Sequence, residues 1–258
     1  MKIVVLAENT ACREDLQAEH GLSLYMETGD HKILFDMGQS EAFAKNAQKL
    51  GVDLTRVDFA VLSHGHYDHG GGLETFLQIN SHAPVYLHQE AFGEYYNGSE
   101  KYIGLSKSLT ANPRLVFCRG SRKLAEGITL TDCGEAPWVF DSWGLLEKEG
   151  QTFMPDKFRH EQYLSIGEGE KQILISGCSH RGIDNIAACF QSDVLVGGFH
   201  LNKLTDEKEL NRIADALLSC GGVYYTGHCT GQMQFDLLRQ RMGCRLQSFS
   251  TGTVLEFT

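Results

Sequence analysis

The sequence has few of the features that mark membrane, exported or nucleic-acid-binding proteins. No apolar stretch approaches the roughly 20 residues of a membrane-spanning helix. The first apolar run stops at Glu8 and Asn9, which predicts that no export signal is present. With 23 Lys and Arg against 33 Asp and Glu, the formal charge of −10 lacks the basic footprint of a general nucleic-acid-binding surface. We therefore expect a cytoplasmic protein with neither a membrane nor a nucleic-acid partner.

The CxxC motif is also missing, since none of the eight cysteines has that spacing from another. Without an export signal, this spacing predicts reduced thiols that pack mostly as small hydrophobic residues, Cys229 among them. Low-complexity runs and linker-like segments are absent as well. Apolar residues make up 42% of the 258 positions, enough for a sizeable core, so we predict a single domain over 1–258.

What is present is a series of short apolar strands, most of them followed by helical periodicity, in both halves of the chain. Strands are predicted at 2–7, 22–28 and 31–35, with a turn at Gly29-Asp30, and a helix at 41–50. We predict a short helix at 91–96, a lid or substrate wall at 97–113, and a loop over 133–160. The pattern indicates an α/β protein in which two sheets lie face to face between outer helices.

The most informative stretch is Val-Leu-Ser-His-Gly-His-Tyr-Asp-His-Gly-Gly-Gly-Leu at 61–73. It reads as the end of a buried strand, followed by His64, His66, Asp68 and His69 within six residues. Imidazole suits zinc, iron or manganese-group ions, and a carboxylate can add a second ion. This stretch therefore predicts a metal site.

Other candidate ligands also follow predicted strands. They are Asp36, Cys178, His180, His200 and His228, whereas His160 precedes a strand. Loops at strand ends are where folds place functional groups. If the two sheets pack in alignment, we expect these loops to converge on one edge.

The order Leu34-Phe35-Asp36-x-Gly38 and then His64-x-His66-x-Asp68-His69 resembles the metallo-β-lactamase superfamily. Gly177-Cys178-Ser179-His180, Gly197-Gly198-Phe199-His200 and His228-Cys229-Thr230-Gly231 resemble the subgroup named after 7,8-dihydropterin-6-methyl-4-(β-D-ribofuranosyl)aminobenzene-5′-phosphate synthase. The resemblance covers nearly the whole chain. It implies a four-layer αββα sandwich with one or two zinc ions, manganese or iron being alternatives.

The resemblance also implies roles for individual residues. His64 and His66 would bind the first ion. Asp68, which would also orient water or accept its proton in catalysis, would bind the second ion together with His69 and His228. Cys178 stands where the superfamily has a bridging aspartate, and its soft thiolate would favour zinc; the alternative is that Cys178 does not bind, which would leave one or two weakly held ions.

The third ligand of the first ion has two candidates, His160 and His180. We prefer His160, because it leaves one residue for each later position in the chain. Asp36 resembles the buried acid that orients a ligating histidine. We expect His20, His88, His180 and His200 to face the substrate or to support the metal ligands. A wall for a flat, phosphorylated ring is predicted from Tyr95, Tyr96, Tyr102, Lys101 and Lys107.

These inferences predict a metal-dependent enzyme for a phosphorylated or diphosphate-bearing small molecule, with pterin-related compounds among the candidates. It would be a hydrolase or a transferase like the dihydropterin-phosphate synthase. The alternatives are a metallo-hydrolase of a phosphodiester, lactone or thioester, and a non-catalytic metabolite binder. A homo-oligomer is compatible with the sequence.

Overall fold

The computed structural model describes residues 1–29, 31–134, 136 and 138–257. Asp30, in the predicted turn at Gly29-Asp30, and Pro137, in the predicted loop, lie outside them. The strands of the described residues are β1 (Lys2–Ala7), β2 (Ser23–Thr28), β3 (His31–Phe35), β4 (Phe59–Val61), β5 (Val85–His88), β6 (Tyr95–Asn97), β7 (Lys101–Tyr102), β8 (Leu115–Cys118), β9 (Arg122–Ala125), β10 (Ile128–Thr131), β11 (Leu145–Glu149), β12 (Thr152–Pro155), β13 (Tyr163–Glu168), β14 (Lys171–Ile175), β15 (Val194–Val196), β16 (Val223–Thr226), β17 (Leu246–Ser248) and β18 (Val254–Glu256). The helices are α1 (Ala42–Lys49), α2 (Tyr67–Gly70), α3 (Leu73–Ile79), α4 (Ile183–Phe190), α5 (Glu207–Cys220) and α6 (Gln232–Met242).

Two large mixed sheets form the centre of the fold. Within the described residues the first has the order β18-β1-β2-β3-β4-β5-β8 and the second the order β17-β16-β15-β14-β13-β10-β9. Neighbouring strands from β3 to β8 in the first sheet, and from β14 to β17 in the second, run parallel. Loops that leave these strands at their C-terminal ends therefore gather at one edge of each sheet.

Successive side chains along each strand point to opposite faces of the sheet, and this alternation explains how the sheets and helices form layers. In β3, Ile33 and Phe35 face the core between the sheets, whereas Leu34 faces the core shared with α1 and α3. In β14, Ile173 and Ile175 face the same inter-sheet core, and Leu174 packs toward α4, α5 and α6. Strands buried on both faces need apolar side chains at successive positions, which is why these runs are continuous. The predicted four-layer αββα sandwich is confirmed.

A smaller sheet differs from the sequence prediction. Strands β12, β11, β6 and β7 form it, and it occupies parts of the segments predicted as a helix at 91–96 and a loop over 133–160. These strands are short and mix charged with aromatic residues, so neither alternation nor helical spacing marks them. The segment that follows β7 meets the His64–His69 segment at an isolated bridge between His66 and Gly104.

Among the described residues, none of the helices is both long and apolar enough to cross a membrane.

Candidate metal centre

The predicted ligands converge at the C-terminal ends of the parallel strands. Asp36 follows β3, His64 follows β4, and Cys178, His200 and His228 follow β14, β15 and β16. Several residues here adopt the left-handed backbone region that is unfavourable without glycine: Asp36 (φ 58°), Ser179 (60°), His200 (49°) and His228 (51°). Such strain concentrates at functional sites, because the surrounding structure must hold it in place.

His64 and His180 form the first close pair, with their Nε2 atoms 3.3 Å apart. The Ser63 hydroxyl donates to Asp36 Oδ2 (2.7 Å), so its oxygen accepts from His64 Nδ1 (2.8 Å). That hydrogen bond places the His64 proton on Nδ1 and leaves a lone pair on Nε2. Phe158 stacks on the His180 ring at 4.3 Å and fixes its orientation. Burial holds the pKa values of both imidazoles well below their usual range.

The second cluster joins His69, His228 and Cys178. His69 Nε2 lies 3.1 Å from both Cys178 Sγ and His228 Nε2. The other ring nitrogen of each histidine is engaged: His69 Nδ1 donates to Asp36 Oδ2 at 2.7 Å, and His228 Nδ1 contacts Asn9 Oδ1 at 3.0 Å. Carboxylate or amide partners of this kind orient ligating imidazoles. The predicted orienting contact of Asp36 is therefore present.

Asp68 adds a carboxylate to the second cluster. Its Oδ2 lies 3.4 Å from His228 Nε2 and 3.3 Å from His20 Nε2. Burial opposes ionisation of Asp68, but the neighbouring His69, His20 and His228 outweigh it and hold the pKa of the carboxyl well below its usual range. Burial likewise opposes charge on His228, yet the hydrogen bond to Asp68 raises its pKa to about 9. The site therefore favours positive charge beside Asp68.

These contacts can be compared with the needs of a metal ion. Tetrahedral zinc with Zn–N bonds of about 2.0–2.1 Å requires nitrogens roughly 3.3 Å apart. The His64–His180 and His69–His228 separations are close to that value. Nε2 lone pairs that face one another in a buried space repel unless a proton or cation lies between them. Cys178 belongs to both triads of donor atoms, His64–Cys178–His180 and His69–Cys178–His228, so the donor set fits one or two soft divalent ions.

His160 lies beside His66, with ring centroids 5.2 Å apart. Its Nδ1 accepts from Gly65 N at 2.9 Å, and its Nε2 contacts Asp156 Oδ2 at 3.2 Å. Both ring nitrogens thus have protein partners, and the geometry favours His180 as the neighbour of His64. His66, Asp156 and His160 nevertheless form a triad of possible donor atoms of their own, so the preference for His160 stays a prediction. Gly65 has no space for a side chain, since a Cβ there would lie 2.1 Å from Ala91 O.

His66 lies beside His64, with ring centroids 4.6 Å apart. Its Nε2 is buried and has no hydrogen-bond partner among the described residues, and Asp156 Oδ2 is 3.9 Å away. A buried imidazole nitrogen without a partner is what a ligand position would leave. Its metal binding stays a prediction.

His88 is not in the centre. Its Nε2 contacts Asp132 Oδ2 at 3.2 Å and its Nδ1 accepts from Glu90 N, so it anchors the loop after β5. His20, with its side chain half exposed, does line the mouth of the centre, as does His200. The expectation that these histidines face one pocket is thus met by His20 and His200 and not by His88.

A cavity of about 1100 Å³ opens beside the centre. His180 and His200 line one end, and Phe140, Trp143 and Phe199 line its body. The aromatic wall predicted at 95–107 is elsewhere: Tyr95 stacks on His160, Tyr96 packs on Tyr102, and Lys107 pairs with Glu94. Of that predicted wall, Lys101 lines a second cavity, of about 130 Å³, directly over the centre with Lys203.

Several site residues escaped the sequence reasoning. Asp156, Trp143 and Lys203 line the cavities, and Glu8 accepts from His228 N at 2.7 Å. Trp143, an aromatic residue within a polar stretch, was the available signal for the wall.

Comparisons with known proteins agree with this fold. The family model of the metallo-beta-lactamase superfamily matches residues 17–215. An uncharacterised protein of Methanocaldococcus jannaschii is 32% identical, over 92% of this chain and 94% of its own. The 7,8-dihydropterin-6-methyl-4-(beta-D-ribofuranosyl)-aminobenzene-5'-phosphate synthase of the same organism is 28% identical, over 100% of this chain and 97% of its own.

Solved structures give the same result. A crystal structure described as a metal-dependent hydrolase of the beta-lactamase superfamily has a TM-score of 0.87 at 31% identity, covering 100% of this chain and 99% of its own. The Zn²⁺-bound PqqB of Methylobacterium extorquens shares the fold, with a TM-score of 0.61 at 12% identity over 100% of both chains. The fold implies a divalent metal, and candidate donors for it stand at the expected edge. The chain belongs to the metallo-beta-lactamase superfamily.

Proposed function

We propose that this chain is a metal-dependent enzyme that acts on a phosphorylated or diphosphate-bearing small molecule, with pterin-related compounds as first candidates. The observation that carries the proposal is the shared place of Cys178 in two triads of donor atoms. His64 and His180 would hold one ion, and His69 and His228 with Asp68 the other. His66 is expected to complete the first set. Zinc is the first candidate, because a thiolate ligand favours a soft ion over manganese.

Ions bound here would act as Lewis acids and supply a nucleophilic water at neutral pH. The ionised carboxylate of Asp68 can orient that water or take its proton. His20 Nε2, 3.3 Å from Asp68 Oδ2, reaches solvent and offers a route for the proton to leave. Departure of a phosphate or diphosphate group would be assisted by Lys101 and Lys203, which line the cavity over the centre.

The size and lining of the larger cavity support a substrate with a sizeable apolar or ring-bearing part. About 1100 Å³ is at the upper end of what a small-molecule site requires. Phe140 and Trp143 offer flat surfaces for a ring, and Lys157 lies at the rim. The name of the Methanocaldococcus synthase supports a pterin-bearing phosphate as such a substrate.

Hydrolysis of a phosphodiester, lactone or thioester is the second candidate reaction. It is supported by the 31% identical structure, which is described as a metal-dependent hydrolase.

The test is a substrate panel offered to the zinc-loaded chain, with phosphomonoesters, phosphodiesters, pterin diphosphates, lactones and thioesters. We expect turnover of a phosphorylated member, its loss in His64→Ala, and a raised KM in Trp143→Ala. The exposed Glu126→Gln is the control and should leave turnover unchanged. Saturable binding without turnover of any member would favour a metabolite-binding role and contradict the proposal.

A further inference from the structure

Three side chains on neighbouring loops form a thiol-rich group beside the centre. Cys178, His200 and Cys229 follow β14, β15 and β16, and their donor atoms all lie within 4.8 Å of one another. Both cysteines are buried. The group shares Cys178 with the two triads above but adds donors that neither uses.

His200 is the least satisfied polar side chain of the group. Both of its ring nitrogens are buried and have no hydrogen-bond partner among the described residues. A neutral imidazole carries one N–H donor and one acceptor, and leaving both buried and unpaired is unfavourable. His200 nevertheless holds a left-handed backbone at φ 49°, a second cost at the same residue. The ring packs on that of His180, with centroids 4.1 Å apart, but only a ligand would satisfy its two nitrogens.

The backbone at Gly198 leaves space for the sulfur of Cys229. A Cβ at Gly198 would lie 2.5 Å from Cys229 Sγ and 3.1 Å from Gly177 O, so only glycine leaves room for the thiol there. His200 N donates to Cys229 Sγ at 3.2 Å, a contact that stabilises negative charge on sulfur. Cys229 Sγ also donates to Cys178 O at 3.6 Å, so the sulfur has both a donor and an acceptor beside it.

We propose that Cys178, His200 and Cys229 bind a thiophilic divalent ion, with zinc as first candidate, in place of an ion that Cys178 would share with either triad. Two thiolates and an imidazole form a soft donor set that hard ions such as manganese bind poorly. As each sulfur–metal bond forms, the S–H bond breaks and its proton passes to solvent. The site goes beyond the proposed function, because its occupancy requires no turnover.

Cobalt(II) loading tests the role of Cys229 directly, since thiolate ligands give Co(II) a charge-transfer absorption. In Cys229→Ser, which keeps a hydroxyl for the neighbouring backbone groups, we expect this absorption to fall, because the thiolate of Cys229 is lost while that of Cys178 remains. Cys118→Ser is the matched control, a buried thiol in the core between the sheets, and should keep the full absorption. Full absorption in a folded Cys229→Ser variant would overturn the site.

His200→Ala keeps the proposal testable if substitutions at 229 prevent folding. Its ring makes no hydrogen bond within the described residues, so its removal should leave the fold intact. After loading with cadmium or manganese, elemental analysis should find less cadmium per chain than in the wild type and the same manganese content. Unchanged cadmium content would overturn the site, and turnover by such a variant would leave the proposed function standing.

Discussion

The Nε2 atoms of His64 and His180 lie 3.3 Å apart although 116 positions separate the two residues in the chain. His64 leaves the first sheet after β4, and His180 leaves the second sheet after β14. The contact therefore exists only because the two sheets are aligned over their shared core. It makes the metal centre a property of the sandwich and not of either sheet.

The choice between His180 and His160 can be tested by metal content. His180→Ala should lower the zinc bound per chain, because it removes the donor that faces His64. His160→Gln should retain zinc, because a glutamine oxygen can still accept from Gly65 N. Elemental analysis of both purified variants measures the difference. Zinc loss in His160→Gln with full content in His180→Ala would restore the assignment made on chain order.

Asp36 is expected to set the affinity for the ion near His69. Its Oδ2 accepts from His69 Nδ1 and from the Ser63 hydroxyl, and all three residues are fully buried. Asp36→Asn preserves the volume but loses the charge, so metal affinity should fall by about 10- to 100-fold. A competition titration with a chelating dye measures it. An unchanged dissociation constant would mean that Asp36 is only a turn residue.

Glu161 is predicted to stabilise the loop that carries Cys178 and His180. The buried carboxylate accepts from the backbone N–H of His180 (2.8 Å) and Arg181 (3.2 Å) and from the Tyr163 hydroxyl (2.7 Å). In Glu161→Gln the side-chain N–H₂ would face one of these donors and leave it without an acceptor. We expect this loss to lower the free energy of unfolding by about 1–3 kcal/mol.

Urea unfolding of the metal-free protein measures that loss, with Glu126→Gln as the surface control. The Glu126 side chain is 94% exposed and should change stability by no more than about 0.5 kcal/mol. Equal midpoints for the two variants would show that Glu161 does not hold the loop.

Removal of metal should destabilise the whole fold and not only abolish activity. The donors come from both sheets, so an ion that binds only the folded chain stabilises it by about 2.7 kcal/mol at 100 times its Kd. Thermal unfolding with and without a chelator should show a lower Tm for the stripped protein, restored by zinc. Identical Tm values would contradict binding at this centre.

The fold and the first half of the site could be predicted because their signals are local. Strands buried on both faces give continuous apolar runs, and the run at 59–61 ends directly in the histidine motif. His64, His66, Asp68 and His69 are therefore recognisable from spacing alone. Cys178 and His228 could be proposed because the superfamily pattern gives their order.

The remaining features depend on long-range packing that spacing does not encode. The orientation of His180 toward His64 depends on Phe158 stacking on its ring, and His160 is engaged by Gly65 N. The cavity wall around Trp143 depends on the small sheet, whose strands carry no clear periodicity. His88 follows a strand like the other histidines, but β5 lies further along the sheet from the centre and its loop is anchored to Asp132.

Anomalous diffraction at the zinc edge from crystals of the zinc-loaded protein tests the central claim most directly. The account predicts an anomalous peak within bonding distance of His64 Nε2, His180 Nε2 and Cys178 Sγ, where Zn–N is about 2.0–2.1 Å and Zn–S about 2.3 Å. A second peak is expected among His69, His228 and Asp68. A peak bonded to His160 in place of His180, or no peak at this edge of the sheets, would contradict it.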